Sequence, residues 1–187
     1  MNKNHLEFLA SAQWAAMLEA DLLPWLVSVV ELGGDVLEIG PGPGLTTDML
    51  RQRTSKLTAV EADKGLATAL AARLRGTNVD VLHADGTDTG LAASRFSVAT
   101  CFSMLHHMPS AALQDRLFAE MFRVLRSGGT LVGTDSIDSR AARAFHEDDV
   151  FVPVDPRTLG TRLEAVGFVD AGVEVASYEI RFRARKP

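Results

Sequence analysis

Three carboxylates and three glycines carry the chemistry this sequence offers. Glu38 stands two residues ahead of glycines at 40, 42 and 44, in the stretch Val36-Leu-Glu-Ile-Gly-Pro-Gly-Pro-Gly44. Val36, Leu37 and Ile39 read as a strand buried on both faces, and an amphipathic helical pattern starts at Leu45. Strand, glycine turn and helix in that order make a mononucleotide-type site, because glycine lets backbone approach a ligand with no Cβ in the way. Glu61, with Ala62 beside it, follows the apolar run 56–60. A carboxylate at a strand's carboxyl end can accept hydrogen bonds from both hydroxyls of a ribose. Asp85 follows the run 79–83 and can accept from an adenine amino group, while Gly86 can present its N–H to the ring. Each acid alone reads as a solvated loop residue, as Asp63 and Asp88 do. All three falling on successive strand ends by chance is improbable.

The glycine spacing then separates two ligand classes. A dinucleotide fingerprint requires a glycine where Leu45 stands, and Glu38 would repel a pyrophosphate. The same acid would attract a ligand bearing ammonium and sulfonium charge. The form E-x-G-x-G-x-G resembles the first motif of the class I S-adenosylmethionine-dependent methyltransferases. The run Leu105-His106-His107 and the turn Arg123-Val-Leu-Arg-Ser-Gly-Gly129 resemble the small-molecule, type 11-like branch of that family. The resemblance runs from Val36 to the C-terminus, specific at the glycine loop and generic beyond residue 135. It implies an α/β, Rossmann-like, doubly wound seven-stranded sheet of order 3-2-1-4-5-7-6, strand 7 antiparallel, with added N-terminal helices. One domain, 1–187, is expected, with residues 1–34 as a helical cap and 135–155 as a short substrate-covering segment. The resemblance further implies that Glu38, Gly40, Gly42, Gly44, Glu61, Ala62, Asp85, Gly86, Cys101 and Phe102 hold S-adenosyl-L-methionine. A methyl group would pass to an O, N or C atom of a small metabolite, leaving S-adenosyl-L-homocysteine.

A base is needed only where the acceptor is a hydroxyl, a protonated amine or a carbon acid. His106 and His107 are the candidates, with His146 third, since imidazole accepts a proton near neutrality. Capping a helix or packing near adenine is an equal reading for the pair. The segment after the fourth strand also excludes reactions. It holds no Asn/Asp-Pro-Pro-Tyr signature of exocyclic-amine methylation, and Cys101 follows Thr100 where a cytosine-C5 nucleophile would follow proline. Cys101 reads as strand core, or as a backbone carbonyl facing the cofactor ammonium. No acid closes the fourth strand as in metal-dependent catechol-type enzymes, so no metal is expected.

These residues need positioning elements. Apolar residues at helical spacing from Leu6 to Leu22 predict one or two helices over 4–32, with Pro24 opening the second at 25–32. His5 and Trp14 could close over a cofactor, though core packing is the commoner role for Trp14. Thr46 and Thr47 fall in the first turn of the helix 45–53, where hydroxyls cap amides. Further helices are expected at 66–74, 110–125 and 156–166, the last broken by Gly167. Ser127-Gly128-Gly129 reads as a turn into a fifth strand at 130–134, and 168–176 with 178–185 as a final strand pair. In the last strand Tyr178, Ile180, Phe182 and Ala184 alternate with Glu179, Arg181, Arg183 and Arg185, which predicts an exposed arginine face. Such a face keeps a protein dissolved or meets a second copy in a weak homodimer.

The chain of 187 residues carries a net charge of −5, which disfavours a phosphate backbone as partner. One cysteine excludes an internal disulfide and suits a reducing compartment. No basic-then-apolar leader or run of 18 apolar residues is seen, so no membrane association and a cytoplasmic location are expected. Two other functions stay open: a cofactor-binding protein without turnover, and an NAD-type oxidoreductase, which here lacks a Tyr-x-x-x-Lys pair.

Overall fold

Aliphatic runs and helical segments alternate along the chain, so a sheet with helices on both faces can bury every run. The computed structural model describes residues 2–176 and 178–187 and has this architecture. The strands are β1 (Asp35–Ile39), β2 (Lys56–Glu61), β3 (Val79–His83), β4 (Phe96–Phe102), β5 (Leu125–Ser136), β6 (Val169–Val175) and β7 (Glu179–Arg185). They pair in the order β3-β2-β1-β4-β5-β7-β6. The first five run parallel, and β7 is antiparallel to both β5 and β6. The chain reverses direction of travel between β1 and β4, and α/β sheets bind ligands outside that point.

Two apolar layers cover the sheet. On one face α6 (Ala111–Val124) and α8 (Pro156–Val166) bury Leu117, Phe118, Met121, Leu159 and Leu163 against Leu37, Ile39 and Phe182. On the other, α4 (Leu45–Arg51), α5 (Lys64–Arg73) and the N-terminal helices pack Leu50, Leu70, Leu22 and Leu26 over Val36, Leu57 and Val132. Among the described residues, no helix is long and apolar enough to cross a membrane.

The crossover from β3 to β4 has no helix. Its loop is fixed instead by Glu120 of α6, whose carboxylate accepts from the amide and hydroxyl of Thr89. Arg123 pairs with Glu120 and donates to the Leu91 carbonyl. The loop therefore holds Asp85 and Gly86 in place without secondary structure of its own.

Three segments differ from the sequence reading. The N-terminus forms α1 (Lys3–Leu9), α2 (Ala12–Met17), a π turn (Leu18–Leu22) and α3 (Leu23–Val29), and from Ala12 the run is unbroken. Pro24 thus stands in the first turn of α3, as expected, but the helix starts at Leu23, ends at Val29 and continues the turn before it. Proline has no N–H for an i−4 carbonyl, and the widened turn just before it, with Leu23 N–H donating to Leu18, absorbs the mismatch. Next, β5 follows α6 directly and already includes Ser127-Gly128-Gly129. Phe96 pairs with Leu125 but Val98 pairs with Thr130, so the glycines form a bulge in the strand.

The third difference is Arg181. Only 13 % of its side chain is exposed. It pairs with Glu179 at 2.6 Å and with Asp21 of the π turn at 2.5 Å, and lies 5.4 Å over the Trp25 ring. The N-terminal helices cover that half of the arginine face and leave Arg183 and Arg185 exposed. Arg181→Glu would set three carboxylates together. We expect it to lower stability by about 1–3 kcal/mol in urea unfolding, and reversal of Arg183 to change little. Equal effects would contradict the covered position.

Candidate functional site

The turn after β1 is built from glycines for three separate reasons. All three have positive φ, which side chains disfavour. A Cβ on Gly44 would collide with Leu70 Cδ1 and lie 2.6 Å from an Arg73 nitrogen, so this glycine packs α4 against α5. A Cβ on Gly40 would press on Met104. Gly42 has nothing within 4 Å of that position. Its free side opens into a cavity of about 590 Å³ over the carboxyl ends of β1, β2 and β3.

Glu61 fixes the loop from the next strand. It is buried, and its Oε2 accepts the Gly42 N–H at 3.0 Å while Oε1 accepts the Asp63 N–H at 2.9 Å. Two amide bonds leave further lone pairs on a carboxylate that lines the cavity. Asp85 orders its own turn by accepting from the Thr87 N–H at 2.8 Å. Gly40, Gly42, Glu61, Ala62, Asp85 and Gly86 all line this cavity, with apolar walls from Ile39, Met108 and Leu117.

A smaller cavity on the far side of the glycine loop shares Gly40, Gly42 and Met104 with the first and is lined by Phe102, Ser103 and Trp14. Ser103 ends β4 with φ of 51°, a strained conformation held by its N–H on the Thr134 carbonyl. A third cavity of about 200 Å³ continues from Ser103 and Trp14 to His5, His106 and Tyr178. The three spaces form a row.

Glu38, Gly44 and Cys101 stand behind these walls and line none of the three. Glu38 is 1 % exposed and accepts hydrogen bonds from both Thr46 and Thr47. The two threonines thus hold the acid and do not cap α4, whose N-cap is Gly44. Cys101 is core, its thiol pushed up by burial, and its carbonyl lies beside Gly133 of the neighbouring strand.

Burial, opposed by the two threonine hydrogen bonds, raises the Glu38 carboxyl to about 7. The folded group keeps its proton to higher pH than the unfolded group, whose ordinary value is 4.5. Its contribution to stability therefore falls as pH rises from 4.5 through about 7, and is level above. Glu38→Gln should remove a slope of up to about 3 kcal/mol across that window in urea unfolding. Parallel pH curves for the two proteins would show that Glu38 is ionised in the fold at all these pH values.

His106 and His107 sit in a 3-10 turn, Leu105–His107, after β4. Asp135, at the end of β5, orders that turn. It is fully buried and accepts from the Leu105 N–H at 2.8 Å and from His106 Nδ1 at 2.6 Å. His106 Nε2 lies 3.0 Å from His146 Nε2. His107 lines the first cavity, but burial and the neighbouring His106 and His5 depress it to about 3. A base so weak holds little of an acceptor's proton at neutral pH. Asp135 was missed in the sequence, where an acid closing the fifth apolar run was the available signal. His5, expected to close over a cofactor, lines the third cavity and packs against the rings of His107 and His146.

With the geometry in place, comparison with known proteins adds the lineage. Residues 37–133 match the family model described as a methyltransferase domain. The chain is 40 % identical over 73 residues to ribosomal RNA small subunit methyltransferase A of Deinococcus radiodurans, covering 36 % of this chain and 25 % of that protein. It is 36 % identical over 94 residues to ubiquinone biosynthesis O-methyltransferase of Azotobacter vinelandii, covering 47 % of this chain and 40 % of that one. The chain thus spans well under half the length of these two curated relatives. Its fold matches the crystal structure of a SAM-dependent methyltransferase from Aquifex aeolicus at a TM-score of 0.75 and 18 % identity, over 98 % of both chains.

Proposed function

This chain belongs to the methyltransferase-domain family, and from that premise we propose that it transfers a methyl group from S-adenosyl-L-methionine to an O, N or C atom of a small, partly apolar metabolite. One observation carries the reading: the buried Glu61 carboxylate, latched to the Gly42 amide, lines a cavity onto which the Cβ-free side of Gly42 opens. The cofactor supplies an electrophilic sulfonium methyl group there and leaves as S-adenosyl-L-homocysteine.

The residues divide the work. Glu61 accepts from the ribose hydroxyls, Asp85 from the adenine amino group, and Gly86 presents its amide to the ring, with Leu117 and Met108 excluding water. Gly40 and Gly42, which line both the first and second cavities, would let the backbone pass close to the amino-acid end, with Phe102 and Ser103 lining the space it would occupy. The N-terminal helices and Ser136 wall the acceptor side, where Phe8, Trp14 and Tyr178 face Ser103, His106 and Glu179 across the third cavity. Holding an acceptor lone pair in line with the methyl group is worth about 7–11 kcal/mol of barrier. An acceptor with a free lone pair at neutral pH requires no protein base, which suits a buried His106 tied to Asp135 and the depressed His107.

Net charge and cavity size favour a small acceptor over RNA, the class named in one set of relatives. Labelled S-adenosylmethionine incubated with fractionated metabolites and, separately, with small-subunit ribosomal RNA decides the class. Label in a small-molecule fraction is expected. Label in RNA alone would overturn the acceptor, and binding without any transfer would leave a cofactor-binding protein.

A further inference from the structure

We propose that His5, His106, His107 and His146 bind one divalent transition-metal ion of the Zn2+ class. Four of the chain's five histidines converge here from three separate segments: α1, the 3-10 turn after β4, and the C-cap of α7 (Arg140–Phe145). One ring nitrogen from each lies within 4.8 Å of the others. Tetrahedral zinc, with bonds of about 2.0–2.1 Å, sets its ligand nitrogens about 3.4 Å apart, so shifts of an ångström or so close the site.

The tautomers favour a cation. His146 Nδ1 lies 2.7 Å from the Ala142 carbonyl, which only accepts, so that nitrogen carries the proton. His106 Nδ1 donates likewise to Asp135. Both Nε2 atoms are then bare, yet they face each other at 3.0 Å with lone pairs opposed. Something electropositive belongs between them. A shared proton would place an imidazolium among three other buried rings, whereas a metal uses all four lone pairs.

Unsatisfied atoms point the same way. His5, only 4 % exposed, has Nδ1 buried without a hydrogen-bond partner, and both His107 ring nitrogens are buried and make no hydrogen bond, with the Asp149 carboxylate 3.8 Å from Nδ1. Buried polar atoms of this kind are rare unless a ligand completes them. Asp135 supplies the outer partner that orients a metal-bound histidine and raises its basicity. All-imidazole ligation selects Zn2+, Co2+, Ni2+ or Cu2+ over Mg2+ and Ca2+. With four protein ligands the site is closed, so the ion ties α1 and residue 146 to the turn that walls the first and third cavities. A metal ion here departs from the expectation of no metal, which considered only an acid at the end of the fourth strand and not histidines gathered from distant segments.

The test uses the full, tag-free chain stripped with a chelator and titrated with Co2+. One equivalent should bind, giving the intense visible absorption of tetrahedral cobalt, and Zn2+ should bleach it and raise the unfolding temperature. His5→Ala and His146→Ala should each weaken uptake more than about a hundredfold, beyond the usual effect of losing an outer partner. His83→Ala, the fifth histidine, should bind normally. No uptake by the wild-type chain, a weak octahedral spectrum, or uptake unchanged in both variants would overturn the site. If either variant fails to fold, the wild-type spectrum and its chelator competition decide alone. None of these readouts depends on methyl transfer.

Discussion

Gly42→Val should abolish S-adenosylmethionine binding while the protein still unfolds in one cooperative transition. The added Cβ has room, because no atom beyond the neighbouring residues lies within 4 Å of its position. It enters the space between the first two cavities, where the cofactor would pass. A β-branched residue at a φ of 54° also costs about 1–2 kcal/mol of backbone strain, so the unfolding temperature should drop by several degrees. Gly44→Val supplies the contrast. Its Cβ would meet Leu70 and Arg73, so that variant should lose fold and binding together. Calorimetry beside thermal unfolding separates the two outcomes. Normal binding by Gly42→Val would make the loop a structural turn and move the site elsewhere.

Glu61→Ala should weaken cofactor affinity by about tenfold to a hundredfold, since ribose hydroxyls lose a charged acceptor worth about 1.5–3 kcal/mol. A second loss accompanies it. The Gly42 and Asp63 amides lose their shared acceptor, so the glycine loop should loosen even without ligand. Faster hydrogen exchange at the Gly42 amide would report that loosening. Glutamine is a poor rescue, because its NH2 must face one of the two N–H groups. Unchanged affinity in Glu61→Ala would remove the ribose assignment.

The parts of the fold legible in the sequence are those set by local pattern. Buried parallel strands read as aliphatic runs, and the acids closing β2 and β3 follow those runs directly, so Glu61 and Asp85 could be placed from the chain alone. The strand order followed from family resemblance. What escaped was decided by partners distant in sequence. Thr46 and Thr47 looked like helix caps because a first turn favours hydroxyls, and only the β1–α4 packing brings them onto Glu38. Arg181 looked exposed because alternation marks one face as polar without saying what covers it; Asp21 and Trp25 do. The histidine cluster has no spacing at all, since its members come from residues 5, 106, 107 and 146.

Glu38 shows how far a motif carries. As part of the glycine-loop pattern it pointed to the right family, yet its carboxylate is spent inside the protein. Its expected attraction for a cationic ligand can act only through the loop, at a distance and through a group held near half-ionised at neutral pH.

The most direct test is calorimetric titration of the wild-type chain with S-adenosylhomocysteine and, separately, with NAD. The glycine loop, the Glu61 latch and the cavity predict one S-adenosylhomocysteine site per chain, lost in Gly42→Val, and no heat with NAD. Binding of NAD without S-adenosylhomocysteine, or of neither, would contradict the account.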